Sequence, residues 1–288
     1  MPASPDQPPP ATQASVSALP APRPQDRIDA PAVAGWASGQ RDGWGLGTGL
    51  AAVAIFFFVQ LIVSLAMVIG GAVAMGLPDG PDAAVALQVA LEDLPTWATL
   101  AAAVVGQVAS LGVVAWFMRA RGADRRMLGV TAIRGRFLAI GLGLGLVGLV
   151  ATVLVTAALQ SILDVEDPAQ QSLVDVAGEG SLTTVLVLVA AVLVAPVLEE
   201  LVFRAVLLPP LVARLGAPLG IVVNGVAFAL IHLELVFAGR PGLAGLAALA
   251  VLGTMLAWSM HRWRSLVVPI ATHAAFNGVT LAIVIGTG

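Results

Sequence analysis

The 288-residue chain contains no cysteine and no lysine, and only 11% of its residues are charged. Without cysteine there can be neither disulfides nor thiolate metal sites. Charge this sparse lies far below the roughly 25% of soluble domains. Together with 58% hydrophobic residues and a mean hydropathy of +0.95, it excludes a soluble globular protein. No HExxH helix is present, and no serine or cysteine accompanies a histidine in a recognisable nucleophilic arrangement. The net charge of -3 says little, because in so apolar a chain what matters is where the arginines lie, and no nucleic-acid partner is expected.

What is present is a series of long apolar runs. Seven follow one another at about 46–77, 95–118, 137–163, 181–208, 217–236, 242–260 and 266–286. Each is about 20 residues or more, enough at 1.5 Å per residue to cross a hydrocarbon core of roughly 30 Å, so the expected fold is all-α, a polytopic transmembrane helical bundle of about seven spans. Residues 1–45, rich in Pro, Ala, Ser and Gln and carrying Pro8, Pro9 and Pro10 in a row, read as a disordered cytoplasmic tail, with a Pro-rich docking segment as the alternative. The start MPASPDQPPP has neither the basic nor the apolar region of a signal peptide, and no cleavage is expected. The transmembrane domain is 46–288.

Arginines set the expected orientation. Arg23, Arg27 and Arg41 precede the first span, Arg119, Arg121, Arg125, Arg126, Arg134 and Arg136 lie between the second and third, Arg214 follows the fourth, and Arg262 and Arg264 follow the sixth. The other loops carry Asp79, Asp82, Glu92, Asp93, Asp164, Glu166, Asp167, Asp175 and Glu179, with Arg240 their one cation. The positive-inside rule then puts the chain in the cell membrane with its N-terminus cytoplasmic and its C-terminus external. The Arg-rich loop reads as a topological anchor, with anionic headgroup binding as the alternative. Gln60, Gln107 and the glycines 141, 143, 145 and 148 of the first three spans read as helix-packing residues.

Against this apolar background, the fourth span carries Glu199, Glu200 and Arg204. A charged side chain at the centre of a membrane helix costs roughly 2.5 to 3.5 kcal/mol on insertion scales, so three together point to function. Arg204 lies one turn after Glu200, at the spacing where side chains meet, which leaves Glu199 to face elsewhere and suits it to general-base work. The plainer reading is a structural ion pair. In the fifth span Asn224, Phe228 and His232 are spaced four and four along one face. In the seventh, His273 and Asn277 are again four apart, two hydrogen-bond donors side by side where an oxyanion could form. His261, beside Arg262 and Arg264, reads as a solvated loop residue, and Glu234, near the end of its span, is left outside the site. Glu199 and His232 could together activate a water against an amide, with His273 and Asn277 receiving the oxyanion.

The three motifs, Glu-Glu-x-x-x-Arg at 199–204, Phe-x-x-x-His at 228–232 and His-x-x-x-Asn at 273–277, in this order on successive spans, resemble the signature of the CPBP family. That family comprises the type II CAAX prenyl endopeptidases and the Abi or bacteriocin-processing proteins. The resemblance covers about 181–286, the expected catalytic core. It implies an intramembrane glutamate-dependent endopeptidase with Glu199, His232, His273 and Asn277 catalytic and Glu200, Arg204 and Phe228 in support. The implied partner is a membrane-associated or lipid-tethered peptide or protein within the lipid bilayer. No cofactor is expected; if a divalent metal such as zinc takes part, Glu199, His232 and His273 are the ligand set.

Two other classes compete. Buried carboxylates and histidines also build proton relays, as in a proton-coupled transporter, although no internal repeat supports one. A non-catalytic scaffold or immunity protein with the same fold is the other alternative. Counting 1.5 Å per residue from the expected cytoplasmic ends puts Glu199 about 15 Å deep, Asn277 about 16 Å, His273 about 10 Å and His232 about 22 Å. His232 is therefore out of level by a turn or more, which calls for a fifth helix that starts late, tilts or breaks.

Overall fold

The structure, a computed structural model, describes residues 45–74, 85, 94–125, 127–165 and 180–287. The expected tail, apart from Gly45, lies outside the described residues, as do Arg126 and every acidic loop residue named above except Asp164. The described chain is helical, with no strand: α1 Leu46–Ala74, α2 Thr96–Ala120, α3 Gly135–Leu163, α4 Ser181–Leu215, α5 Ala217–Leu230, α6 Leu233–Phe237, α7 Arg240–Trp263 and α8 Val267–Thr287. This is the expected all-α membrane bundle. Six of these helices are long and apolar enough to cross a membrane; α5, at 14 residues, falls short.

The expected fifth span, 217–236, is thus divided. Its helix starts at Ala217 as read from the sequence but ends at Leu230, and the chain turns at His232. The cause is local. The His232 ring, through Nδ1, hydrogen-bonds the Phe228 carbonyl at 3.2 Å, the acceptor that the His232 backbone N–H would use in a continuing helix, and that N–H bonds Ala229 O instead at 3.1 Å. The His232 carbonyl then accepts from Leu235 and Val236 to start α6.

At the centre of the bundle is α4, touching α1, α2, α5, α7 and α8. Phe56 of α1 and Val114 and Met118 of α2 pack with Leu198, Val202, Phe203, Val206 and Leu207 of α4 in one buried cluster. The sequence reading ended this helix at 208; it runs on to Leu215 and turns at Gly216, whose φ of 78° is the left-handed geometry glycine tolerates. Glu199 therefore lies about 24 Å from the end of its helix, not 15 Å. Glu199 and His232 stand at nearly equal chain distances on either side of the turn at Gly216, and this removes the mismatch in level. Pro209 and Pro210 do not end the helix: they sit at the start of the last α-helical stretch of α4.

Within α4, Val189–Val194 and Leu201–Leu207 are wound as π-helix, each followed closely by proline, at Pro196 and at Pro209. A proline ring clashes with the carbonyl four residues back and offers no N–H, so widening the preceding turn relieves both. In the first segment the register is i to i−5, with Ala195 N–H on Ala190 O.

Small residues fix α8, the carrier of His273 and Asn277. A Cβ added to Gly141 of α3 would lie 2.8 Å from the Val268 carbonyl, and one on Gly145 2.8 Å from that of Thr272, so the backbones of α3 and α8 are nearly in contact. Gly148 faces Met255 and Leu252 of α7. Gly143 faces open space, and its reading as a packing residue is corrected: at 100° per residue it lies on the opposite side of α3 from its neighbours.

Candidate active site

The first π turn leaves a carbonyl without a helical partner. In the shifted register the donor for Ala191 O would be residue 196, which is proline, while Ala195 N–H has already gone to Ala190 O. Asn277 of α8 supplies the missing donor, its Nδ2 lying 2.7 Å from Ala191 O. The second π segment is braced by an added bond: Asn224 of α5 donates to Phe203 O at 2.9 Å, a carbonyl that already accepts the Leu208 N–H. Asn224 is therefore a bracing residue and does not line the site, although it shares a face with Phe228 and His232.

The α-helical stretch between the π segments, Ala195–Glu200, presents the glutamates. Glu200 and Arg204 are fully buried, and the pair read from their spacing is in place, with Arg204 Nε 3.1 Å from Glu200 Oε2. The fold adds a partner that spacing could not reveal: Glu200 Oε1 lies 3.0 Å from His273 Nδ1. Arg204 Nη2 also donates to Gly253 O at 3.2 Å, and its guanidinium carbon stands 4.3 Å above the Phe228 ring. A buried guanidinium needs such compensation, and an aromatic face supplies it where no oxygen is at hand. The other contacts of Phe228 are edge-on, with His232 at 5.4 Å, His273 at 5.6 Å and Phe203 at 5.6 Å between ring centroids.

In front of this buried layer is a cavity of 260 Å³. Glu199, His232, His273, Asn277 and Phe228 all line it, so α4, α5 with the turn that follows it, and α8 contribute the side chains that the sequence set apart. Glu200 and Arg204 lie behind them. Glu199 makes no hydrogen bond to a described residue; its Oε2 is 4.0 Å from His273 Nε2. Because the Phe228 carbonyl can only accept, His232 donates from Nδ1, and Nε2 is the nitrogen left with a lone pair. With His273 Nδ1 donating to ionised Glu200, His273 Nε2 can donate only from the imidazolium.

Among the described residues, no three His, Asp or Glu side chains are arranged as a metal-binding group. Glu199, His232 and His273 share the cavity without converging as ligands, so no chemical step is drawn through a metal.

Two readings change. His261 is partly buried at the end of α7 rather than a solvated loop residue, because α7 runs on to Trp263. Gln107, read as a packing residue of α2, lines the cavity with its Oε1 buried and without a hydrogen-bond partner among the described residues. The only signal in the sequence was a lone amide in an apolar helix, which Gln60 shares without lining the cavity.

Residues 181–279 match the family model described as type II CAAX prenyl endopeptidase, Rce1-like. The match supports CPBP family membership, carried by the C-terminal segment that holds all three motifs. At the level of the family this supports an intramembrane CAAX-type protease, a peptidase in a multi-pass membrane protein. The searches of curated proteins and of solved structures give no match.

Proposed function

We propose that this chain is a glutamate-dependent endopeptidase that hydrolyses a peptide bond of a membrane-associated or lipid-tethered substrate. The observation that carries the proposal is the meeting of Glu199, His232, His273 and Asn277 around one cavity, with Glu199 outside the Glu200–Arg204 pair and hydrogen-bonded to no described residue. A water held between the Glu199 carboxylate and the lone pair of His232 Nε2 attacks the scissile carbonyl carbon and gives its proton to Glu199. The carbonyl oxygen, now an oxyanion, receives hydrogen bonds from protonated His273 Nε2 and from the Asn277 N–H that is not engaged with Ala191. Collapse of the intermediate breaks the C–N bond, and Glu199 returns the proton to the leaving amine.

Glu200 and Arg204 act through position. Glu200 fixes the His273 ring through Nδ1, and Arg204 holds Glu200 in place. The orientation set by the arginines puts the N-terminus in the cytoplasm and the C-terminus outside the cell membrane. The test compares membrane proteins of cells producing the wild-type chain with those producing Glu199→Ala, His232→Ala or His273→Ala at equal levels. A polypeptide cleaved only with the wild type is expected; full cleavage by all three variants overturns the mechanism.

A further inference from the structure

The cavity holds one polar group that the proposed chemistry does not use. Gln107 belongs to α2, well outside the segment matched by the family model, yet its side chain reaches the cavity. Its neighbours on α2 are held: Ser110 Oγ donates to Phe56 O at 3.0 Å, and a Cβ on Gly106 would lie 3.1 Å from Gln60 O, so α1 and α2 are in tight contact and the level of Gln107 is fixed. Its Oε1 is buried and accepts nothing from the described residues. A buried amide oxygen left unpaired costs about 1–3 kcal/mol, the whole of which an arriving donor recovers. No other side chain of the cavity hydrogen-bonds it. One Asn277 N–H goes to Ala191 O, His232 donates back to its own helix and His273 Nδ1 is on Glu200, and the donors left over, the second Asn277 N–H and His273 Nε2, are those assigned to the oxyanion. Ala190, Ala191 and Ala195 of α4 line the same cavity and offer no side-chain hydrogen bond.

The complement of a carboxamide is a peptide group, with one N–H to give and one carbonyl to receive. Resting on the reading of this cavity as a peptidase site, we infer that Gln107 is a substrate-positioning residue: its Oε1 accepts a backbone N–H of the peptide beside the scissile bond. It makes no contact with the reacting atoms and acts on binding. Loss of Gln107 should therefore appear in KM, because a hydrogen bond made equally in the ground and transition states contributes to binding alone.

The probe is a quenched-fluorescence peptide ending in a prenylated Cys-aliphatic-aliphatic-X sequence, together with a series of ester analogues, each replacing one backbone N–H by oxygen. They are assayed with the full chain in proteoliposomes. Gln107→Leu, close to glutamine in volume and at home in an apolar helix, is expected to raise KM about three- to tenfold with kcat within twofold, the worth of one neutral hydrogen bond. One ester analogue should show the same rise with the wild type, and Gln107→Leu should add nothing further to it, the non-additivity of a direct contact. An unchanged KM, a loss confined to kcat, or additive losses with every ester analogue overturn the assignment. Binding of the same peptides to Glu199→Ala protein, measured by fluorescence anisotropy, separates the two readings. If wild type cleaves and Glu199→Ala does not, but adding Gln107→Leu to Glu199→Ala leaves affinity unchanged, only the role of Gln107 falls. If the peptide binds through Gln107 and is never cleaved, the contact stands and the peptidase reading falls. If it neither binds nor is cleaved, both are overturned for this substrate class.

Discussion

Phe228 shows how one apolar side chain can organise a charged site. Its face covers the Arg204 guanidinium at 4.3 Å and its edges meet both histidines, so the ring separates the buried cation from the cavity while holding two imidazoles at fixed angles. The Glu200–Arg204 pair behind it is fully buried, and removing one member leaves the other uncompensated. Arg204→Met is expected to destabilise the purified protein by about 3–5 kcal/mol, and Arg204→Met with Glu200→Gln by clearly less, because the second change removes the stranded carboxylate. Denaturant titration followed by tryptophan fluorescence checks this; equal losses in the single and double variants would contradict the pairing. Of these contacts the sequence disclosed the one between Glu200 and Arg204, which depends on helix spacing. The bond between Glu200 and His273 joins helices 73 positions apart, and no local pattern encodes it.

The decisive feature among the elements is the winding of α4. Two π segments bracket the short α-helical stretch that carries Glu199 and Glu200, and the first exposes the Ala191 carbonyl to which Asn277 is anchored. Pro196 causes that exposure, since it is the residue that cannot donate in the shifted register. Pro196→Ala should therefore return an N–H to α4, leave stability unchanged or raised, and free Asn277 from its anchor. A fall in kcat of about tenfold to a hundredfold is expected from the misplaced carboxamide. Full activity together with an unchanged melting temperature would show that Asn277 needs no anchor. The sequence marks the prolines but not their consequence. The apolar run read from the sequence stops at 208, whereas packing on all sides keeps α4 continuous past Pro209 and Pro210 to Leu215 by widening its turns.

For the whole molecule, the question is whether the short α5 crosses the membrane. Together α5 and α6 run from Ala217 to Phe237, about 30 Å if they were in line, but the break at His232 shortens them. The arginine pattern, with Arg214 before α5 and Arg262 and Arg264 after α7 expected on the same side, calls for the pair to act as a seventh crossing. Reporter fusions after Arg214 and at Gly288 should then report opposite compartments, the first cytoplasmic and the second external. If both report the same side, α5 and α6 re-enter, and the six long helices alone cross.

By itself the sequence determined the environment, the helical class, the places of most spans and the residue types of the site, because hydropathy over 20 residues and i to i+4 spacing are local properties. It also marked Glu199, Glu200 and Arg204 as the charges that an apolar helix must account for. Only the tertiary structure decided which groups meet. It gave Glu200 a second partner in His273, anchored Asn277 on a carbonyl that a proline leaves unpaired, set Asn224 to brace α4 and brought Gln107 to the cavity. Each of these depends on contact between helices distant in the chain and on a change of helical register that packing imposes, and neither leaves a periodic trace in the order of residues.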